Sequence, residues 1–566
     1  MPGAGRGDPQ VTRRACLLAL ALCAAACAGK PESAAPVARP NIVFILTEDL
    51  SPRLGAYGDR VARTPRIDAL AKGGVRFTRA FTTAGVCAPS RTALVTGVYA
   101  WSLGGQHMRT SRGWDVPGVG RSFAYLAVPP PEVKAFPELL RRAGYYTLNQ
   151  RKTDFAFGDP FTLWDVYDPA EFDPAPWRRA PRGQPFFAMV NPVITHESMI
   201  WPQPGRVLVT DPNAVTVPPF LPDTPVVRRD LAQHYDNAAT LDSQVGQVLD
   251  ALEADGLADR TIVIFSGDHG DGLPHAKRCL YDTGLHVPLV VRFPDGRGAG
   301  TVRDDLVSFV DLAPTILRLA GLEPPAFVRG QPLFGDAPPR AFVFAGSDRI
   351  DKVGGRWRSV RDARFEYLAN FMPERPFFEH GAYNDRMPTM QELWRLHEAH
   401  ALTPLQESQF TTPRPAEELY DLAADPDQTR NLAADPAHAG DLARLRAALA
   451  DFAAHTPDLA SESERAMAER MWPGLVQPVT GSPVPTRVSG RDGPAVALAS
   501  PTPGASIGYR LSDDPPSQWR LYVEPVPLRA GISLEAKAVR YGWAESPVAY
   551  FPPRSSESGP PPFVAR

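Results

Sequence analysis

The sequence predicts an α/β fold built on a mostly parallel central sheet. Short, continuously apolar and β-branched runs alternate along the chain with segments of helical periodicity. Continuous apolar runs are typical of strands that are buried on both faces, and their alternation with helices is typical of an α/β sandwich. The 566 residues exceed one ordinary domain, and a hydrophobic content of 43% can supply a large core.

The elements of the sheet are predicted from these runs in chain order. Buried strands are expected at residues 41–47, 186–190, 261–265 and 287–291. The clearest helix is expected over residues 230–252, because apolar side chains recur there at steps of three and four residues. Gly256 supplies the stop signal for that helix.

The C-terminal third is expected to differ from this core. Shorter strands are predicted over residues 341–371, and one more amphipathic helix over 441–454. From about Val479 the composition shifts to Pro, Gly and Ser, and residues 532–539 alternate with period two. We therefore divide the body of the chain into a main α/β domain (40–335), an α+β subdomain (336–470) and a small separate β-module (479–552).

The N-terminus has the pattern of an export signal over residues 1–27, followed by a linker over 28–39. Arg13 and Arg14 precede an apolar run that is too short to span a bilayer. The sequence Ala-Ala-Ala-Cys27 suits either an ordinary signal-peptidase cleavage point or a bacterial lipoprotein box, which would put a lipid anchor on Cys27. Both alternatives predict an exported protein that is periplasmic, anchored to the outer membrane as a lipoprotein, or extracellular.

Charge and cysteine content argue against two classes of protein. The net charge of −3 leaves no basic surplus, so we expect no nucleic-acid partner. Three of the five cysteines belong to the leader, and the two that remain, Cys87 and Cys279, are too few for a disulfide framework.

The segment around Cys87 carries the strongest chemical signal. It reads Cys87-Ala-Pro-Ser-Arg91, and Thr96-Gly97 follow. Pro89 suits a first helical turn, so Cys87 is expected just before a helix whose free N–H groups attract anions. Arg91 would add a forked cation beside it. The pattern resembles the signature of the sulfatase family, Cys-x-Pro-Ser-Arg followed by Thr-Gly.

This resemblance extends from about Pro40 to Ala454 and implies an alkaline phosphatase-like fold with residues 40–335 as the catalytic domain. In the family, a maturation enzyme oxidises the cysteine to formylglycine, which implies the same for Cys87. The hydrated aldehyde carries two hydroxyls, of which one attacks sulfur and the other, on deprotonation, expels sulfate.

Two acidic strand ends are candidates for a metal site. Glu48-Asp49 follow the first strand and Asp268-His269 follow another, at the edge where open α/β sheets place ligands. Carboxylates at neighbouring strand ends repel unless a hard cation lies between them. The resemblance implies that Glu48, Asp49, Asp268 and His269, with the modified Cys87, hold Ca²⁺. The family usually has Asp where Glu48 stands.

Cations are expected around a bound sulfate, because they offset the charge that develops on the leaving oxygen. Lys152 and Lys277 match two lysines of the family's active site, and His196 matches its central histidine, which binds sulfate or protonates the leaving oxygen. Together with Arg91, these residues are expected to bind and polarise the sulfate. Two alternatives stay open. Arg278 could take the role of Lys277, and Asp154 stands where many relatives have His.

Within the family, residues 48–52, 104–109 and 152–155 look closest to the heparan N-sulfatase (sulfamidase) group. His107 and Arg109 would line the pocket or serve a structural role. The β-module resembles the C-terminal domain of some chitobiases and hexosaminidases. These likenesses imply a sulfated carbohydrate substrate, such as a polysaccharide or glycosaminoglycan fragment, with the sulfate on oxygen or nitrogen.

Two rival functions remain at this point. A formylglycine-dependent phosphodiesterase or phosphonate hydrolase would share the Cys-x-Pro-x-Arg loop. A non-catalytic, exported glycan-binding protein would keep Cys87 unmodified.

Overall fold

The computed structural model describes residue 3 and residues 39–111, 123–203, 205–351, 353–491, 493–527 and 529–553. The predicted export signal and Cys27 lie outside these residues. From Pro40 onward the described chain forms one compact unit. Among the described helices, none has both the length and the apolar character needed to cross a membrane.

The core of the molecule is a nine-stranded sheet, in the order β4-β3-β5-β1-β6-β7-β2-β8, with β9 also paired to β2. Every pair is parallel except the two that β7 makes with β6 and β2. The strands are β1 (Asn41–Thr47), β2 (Val75–Phe81), β3 (Tyr146–Gln150), β4 (Val166–Asp168), β5 (Phe186–Val190), β6 (Thr261–Gly267), β7 (His286–Arg292), β8 (Thr301–Arg303) and β9 (Val307–Ser308). The prediction of a mostly parallel sheet is confirmed.

Helices cover both faces of this sheet. The α-helices are α1 (Pro65–Lys72), α2 (Cys87–Thr96), α3 (Phe136–Arg142), α4 (Pro225–Ala254), α5 (Asp282–Leu285), α6 (Leu312–Leu319), α7 (Pro388–Glu398), α8 (Pro404–Glu407), α9 (Ala439–His455) and α10 (Glu464–Met471). Because side chains alternate along a strand, Phe44 of β1 packs in one core cluster with Ile316 of α6, while Ile45 packs in another with Val245 of α4. The layers therefore form an α/β/α sandwich.

The long helix α4 begins earlier than predicted. The side chain of Thr224 accepts a hydrogen bond from the Val227 backbone N–H, and Pro225 occupies the first helical position. Gly256 follows the last turn with a φ of 63°, a left-handed conformation that glycine adopts without steric cost. The predicted stop is therefore in the right place, and the cap explains the additional N-terminal turn.

The subdomain after the main sheet has four antiparallel strands in the order β10-β11-β12-β13. The strands are β10 (Val343–Ser347), β11 (Trp357–Arg361), β12 (Phe365–Asn370) and β13 (Glu417–Asp421). Leu445 of α9 packs against Val360 and Tyr367 of this sheet. The short strands and the late amphipathic helix thus form where the sequence predicts them.

The tail forms two small antiparallel sheets, β14-β15-β18 and β17-β16-β19-β20. Their strands are β14 (Val484–Gly490), β15 (Gly493–Ala499), β16 (Ser506–Leu511), β17 (Arg520–Leu521), β18 (Val526–Pro527), β19 (Leu534–Val539) and β20 (Ala549–Phe551). Val496, Ile507 and Ala538 belong to a core of its own. Tyr541, in contrast, is fully buried in the main core, where its ring stacks on Phe157 at 4.8 Å between centroids.

Candidate active site

Four neighbouring parallel strands deliver the predicted side chains to one edge of the sheet. The strands β3, β5, β1 and β6 lie side by side, so their carboxyl ends meet at the same edge. Lys152 follows β3, His196 follows β5, Glu48 and Asp49 follow β1, and Asp268 and His269 follow β6. The topology explains why residues far apart in sequence come together.

Cys87 lies at the centre of this edge. It is the first residue of α2, with Val86 as the N-cap, and thus stands one position further into the helix than predicted. Its Sγ atom lies 3.3 Å from His269 Nε2 and 3.8 Å from Glu48 Oε2. The side chain has no exposure to solvent.

Arg91, one turn further along α2, holds three strand ends together. Its guanidinium donates to Glu48 Oε1 at 2.5 Å, to Asp268 Oδ2 at 2.8 Å and to Asn191 Oδ1 at 2.8 Å. Burial opposes its charge, but Glu48 and Asp268 raise the pKa of Arg91 above its ordinary value. Because Arg91 is fully buried and engaged in these bonds, it orients the acids around Cys87.

Lys152 approaches the same group from β3. Its ammonium donates to Glu48 Oε2 and lies 3.3 Å from Asp154 Oδ2. Burial alone would raise the pKa of Glu48, but the charges of Lys152 and Arg91 outweigh it and hold that pKa far below the ordinary value. Glu48 is therefore ionised, and it faces both Cys87 and two cations.

Asp49 is the most heavily engaged acid of the site. Lys277 Nζ donates to its two oxygens at 2.8 and 3.0 Å, His269 Nε2 lies 3.1 Å from Oδ1, and the Glu197 backbone N–H donates to Oδ2 at 2.7 Å. Asp49 has a φ of 41°, an unusual backbone conformation for a residue other than glycine. These contacts fix a strained strand end in one orientation.

Lys277, and not Arg278, contacts Asp49. Arg278 instead donates through NH1 and NH2 to the two oxygens of Glu197, at 2.9 and 2.8 Å. Glu197 Oε1 also lies 2.8 Å from Lys277 Nζ. Burial opposes the charge of Glu197, but Arg278 and Lys277 lower its pKa to about 2. Lys277 is therefore the residue that contacts the acids around Cys87 directly, and its role in binding sulfate stays a prediction.

His196 lies beside these acids with one ring nitrogen already engaged. Its Nδ1 accepts from the Ser198 backbone N–H at 3.3 Å and lies 2.8 Å from Ser198 Oγ. Burial lowers the pKa of His196, and the charge of Lys277 lowers it further. With Nδ1 as acceptor, the neutral ring carries its proton on Nε2, where it can bind or protonate a ligand oxygen.

Two overlapping groups of side chains could hold a metal ion. Ligand atoms of Glu48, Asp49, Cys87 and His196 lie within 4.8 Å of one another, and so do those of Cys87, Asp268 and His269. Three fully buried carboxylates in this set are the ligands that hard cations prefer. The donor set therefore fits a hard divalent cation next to Cys87.

Two side chains of the site were not predicted. Glu197 and Asn191 bind other site residues, and Asn191 also donates to Asn149 Oδ1 at 3.0 Å. The position of Asn191 directly after β5 was a signal that could have identified it. Glu197 had no such signal, because its role depends on contacts with distant residues.

Two separate sets of contacts hold the remaining predicted residues, Arg109, Asp154 and His107. Arg109 donates to Asp154 Oδ1 at 2.6 Å, so Asp154 links Arg109 to Lys152. His107 is not among the possible metal ligands, and burial lowers its pKa to about 4. Its charged neighbours include Glu464, Arg349 and Arg358.

Known proteins resemble this chain over most of its length. An ulvan-active sulfatase of Formosa agariphila is 37% identical over 549 residues, which cover 90% of each chain. N-sulphoglucosamine sulphohydrolase of Homo sapiens is 30% identical over 476 residues, 74% of this chain and 91% of that one. The solved structure of a phosphonate monoester hydrolase from Silicibacter pomeroyi matches in fold, with a TM-score of 0.54 at 19% identity, over 81% of this chain and 99% of that one.

A family model described as Sulfatase matches residues 40–322, the part of the chain that carries the Cys87 loop and the acidic strand ends. Together with the identity to curated sulfatases over most of the chain, this match settles the family. The protein has an alkaline phosphatase-like fold and belongs to the sulfatase family, near the heparan N-sulfatase group.

Proposed function

We propose that the protein hydrolyses sulfate esters or sulfamates of a carbohydrate, with Cys87 converted to formylglycine and Ca²⁺ bound beside it. The observation that supports this proposal most directly is the environment of Cys87. A fully buried cysteine at the start of a helix, surrounded by three carboxylates and several cations, has no evident role as packing alone.

The roles of the side chains follow from their contacts. Lys152, Lys277 and His196 bind the sulfate oxygens, and His196 Nε2 delivers a proton to the leaving oxygen. Arg91 keeps Glu48 and Asp268 aligned. A formylglycine hydrate at position 87 would supply the attacking hydroxyl and the second hydroxyl whose deprotonation releases sulfate.

Charge balance supports a metal at this site. Among the described residues, six acids form ion pairs with six basic groups. The acids are Glu48, Asp49, Asp154, Glu197, Asp268 and Asp351, and the basic groups are Arg91, Arg109, Lys152, Lys277, Arg278 and His269, whose pKa Asp268 and Asp49 raise well above its ordinary value. The opposite charges are equal in number, so the protein alone offers an anion little net attraction. A divalent cation on Glu48, Asp49, Asp268 and His269 would give the site a positive surplus and polarise a bound sulfate.

The nature of the substrate is proposed from the relatives. One curated relative is an ulvan-active sulfatase, and another is an N-sulphoglucosamine sulphohydrolase. A sulfated polysaccharide or glycosaminoglycan fragment is therefore the substrate class we propose for this chain.

The proposal includes export and maturation. The pattern of residues 1–27 supports a signal peptide, with cleavage before Cys27 and a lipid anchor there as one outcome. A formylglycine-generating enzyme is the partner that Cys87 requires.

One pair of measurements tests the proposal against its rivals. Mass spectrometry of the peptide that contains Cys87 should show formylglycine, and the protein should hydrolyse aryl sulfate faster than aryl phosphonate. Faster hydrolysis of the phosphonate would establish the phosphonate hydrolase instead. If Cys87 is unmodified and neither compound is hydrolysed, the non-catalytic glycan-binding protein is the remaining alternative.

A further inference from the structure

An open cleft adjoins the active site. It shares Glu197, Lys277 and Arg278 with the site, and its other walls come from residues 347–357 and 375–390. Ile350, which lines the cleft, also packs in one cluster with Cys87. The cleft therefore borders the group of residues around Cys87.

Arg375 is a wall residue of the cleft, and among the described residues its guanidinium group forms an ion pair with Glu379 alone. Its side chain is 31% exposed and forms no hydrogen bond with any described residue. The nearest acid is Glu379, at 3.2 Å between Nε and Oε1, and neither atom has a hydrogen-bond partner. Burial raises the pKa of Glu379, and the charge of Arg375 opposes this shift. Arg278, in the same cleft, donates through both terminal nitrogens to Glu197.

The cleft leaves room for this guanidinium group. A Cβ atom on Gly354 would lie 3.0 Å from Arg375 NH2, closer than nearly all such contacts. The backbone of Gly354 does not require glycine, because its φ is not positive. The guanidinium group of Arg375 thus lies against Gly354, in space that a side chain at position 354 would reduce. Asn384 adds a buried Oδ1 acceptor without a partner among the described residues.

We propose that Arg375 binds a second anionic group of the substrate, a carboxylate or a further sulfate, on the sugar that occupies the cleft. A planar guanidinium group matches both anions through paired N–H donors. This inference rests on the proposed sulfatase function and narrows its substrate to a polyanionic saccharide.

The test compares matched substrates on wild-type protein and on Arg375→Gln. One pair is a sulfated oligosaccharide with a uronate and its carboxyl-reduced counterpart, and the other is a neutral oligosaccharide with two sulfates and its singly sulfated counterpart. In at least one pair, the substitution should reduce the ratio of kcat/KM for the more anionic compound to that for its counterpart at least about tenfold. The pair that responds identifies the anion.

Three further variants control the result. Arg395→Gln removes an exposed arginine that pairs with Glu392 outside the cleft, and it should leave both ratios at the wild-type value. Arg375→Lys keeps the positive charge but lacks the paired N–H donors of the guanidinium group. Its ratio of kcat/KM values should therefore lie between those of wild type and Arg375→Gln. Gly354→Ala should displace the guanidinium group and reproduce part of the loss without removing Arg375.

The outcomes separate this inference from the proposed function. If wild-type protein hydrolyses sulfate esters and Arg375→Gln leaves both ratios unchanged, the second anion site is wrong while the sulfatase activity stands. If wild-type, formylglycine-containing protein hydrolyses neither sulfate esters nor sulfamates, both proposals fall.

Discussion

Arg91 is fully buried, and each of its three hydrogen bonds goes to a residue that follows a different strand of the central sheet. A lysine at this position keeps the charge but cannot reach three acceptors at once. Arg91→Lys should therefore lower the free energy of unfolding by about 3 kcal/mol, since it leaves buried acids without their partner. Chemical denaturation at neutral pH measures the effect, and wild-type stability in this variant would contradict the structural role.

Substitutions of the nucleophile Cys87 test the catalytic mechanism at a single residue. Cys87→Ala should abolish turnover. Cys87→Ser keeps an attacking oxygen but lacks the second hydroxyl, so we expect a single transfer and then a trapped sulfate ester on the serine. Intact-protein mass spectrometry detects the added group. Steady-state turnover of Cys87→Ser at the wild-type rate would exclude the geminal-diol mechanism.

The metal prediction concerns Glu48 and Asp268. Chelation should abolish activity, and added calcium should restore it. Asp268→Asn should reduce activity about 100-fold or more, because it removes a charged ligand and weakens the bond to Arg91. Glu48→Asp should lose less activity than Asp268→Asn, because it keeps the carboxylate. Full activity of metal-free protein would refute the calcium assignment.

At the scale of elements, the buried parallel strands were the easiest part to predict. The run at β1 and the helical pattern of α4 are local signals, and both elements form where these signals lie. The acidic strand ends could be located because parallel topology brings such ends together. Glu197 and Asn191 were missed because their function lies in contacts across 80 or more residues, such as Glu197 with Arg278 and Asn191 with Arg91.

Helix α3 shows how one buried acid can join two elements. Glu138 has no exposure and accepts hydrogen bonds from Tyr541 Oη, Ser506 Oγ and Thr162 Oγ1. Burial opposes its charge, but Lys134, Arg142 and the hydroxyls of Ser506 and Thr162 lower the pKa of Glu138.

The lowered pKa sets the sign of a pH-dependent prediction. The ionised Glu138 stabilises the fold above its unfolded pKa of about 4.5, and that contribution is lost as the pH falls through the lower folded value. Glu138→Gln should therefore unfold more easily at pH 7, by about 2–4 kcal/mol, with a smaller difference toward pH 3. Urea titrations at the two pH values compare the variants. A difference that grows on acidification would have the wrong sign.

At the scale of the whole molecule, the tail is more deeply attached than its composition suggests. It has a core of its own, as a separate module would, yet Tyr541 completes the main core and Arg141 donates to the Trp519 carbonyl at 2.5 Å. The domain boundary at Val479 stays a prediction. No local pattern could have predicted this docking, because aromatic residues in a small β-module usually pack within it.

Truncation before Val479 tests this attachment. It would expose Phe157 and leave Glu138 with fewer donors, so the truncated protein should have a clearly lower Tm or aggregate. Circular dichroism during heating measures the change. A soluble truncated protein with the wild-type Tm and activity would establish an independent module.

The burial of Cys87 has a consequence for the biosynthesis of the protein. Every residue of α2, from Cys87 to Thr96, is buried in the folded chain, so a maturation enzyme cannot bind this segment of backbone without opening the structure. Conversion must therefore precede folding, while the chain is still being synthesised or is held unfolded for export. Purified, folded protein that escaped conversion should stay unconverted for its lifetime, whereas an unfolded peptide around Cys87 should be modified readily by the same maturation enzyme.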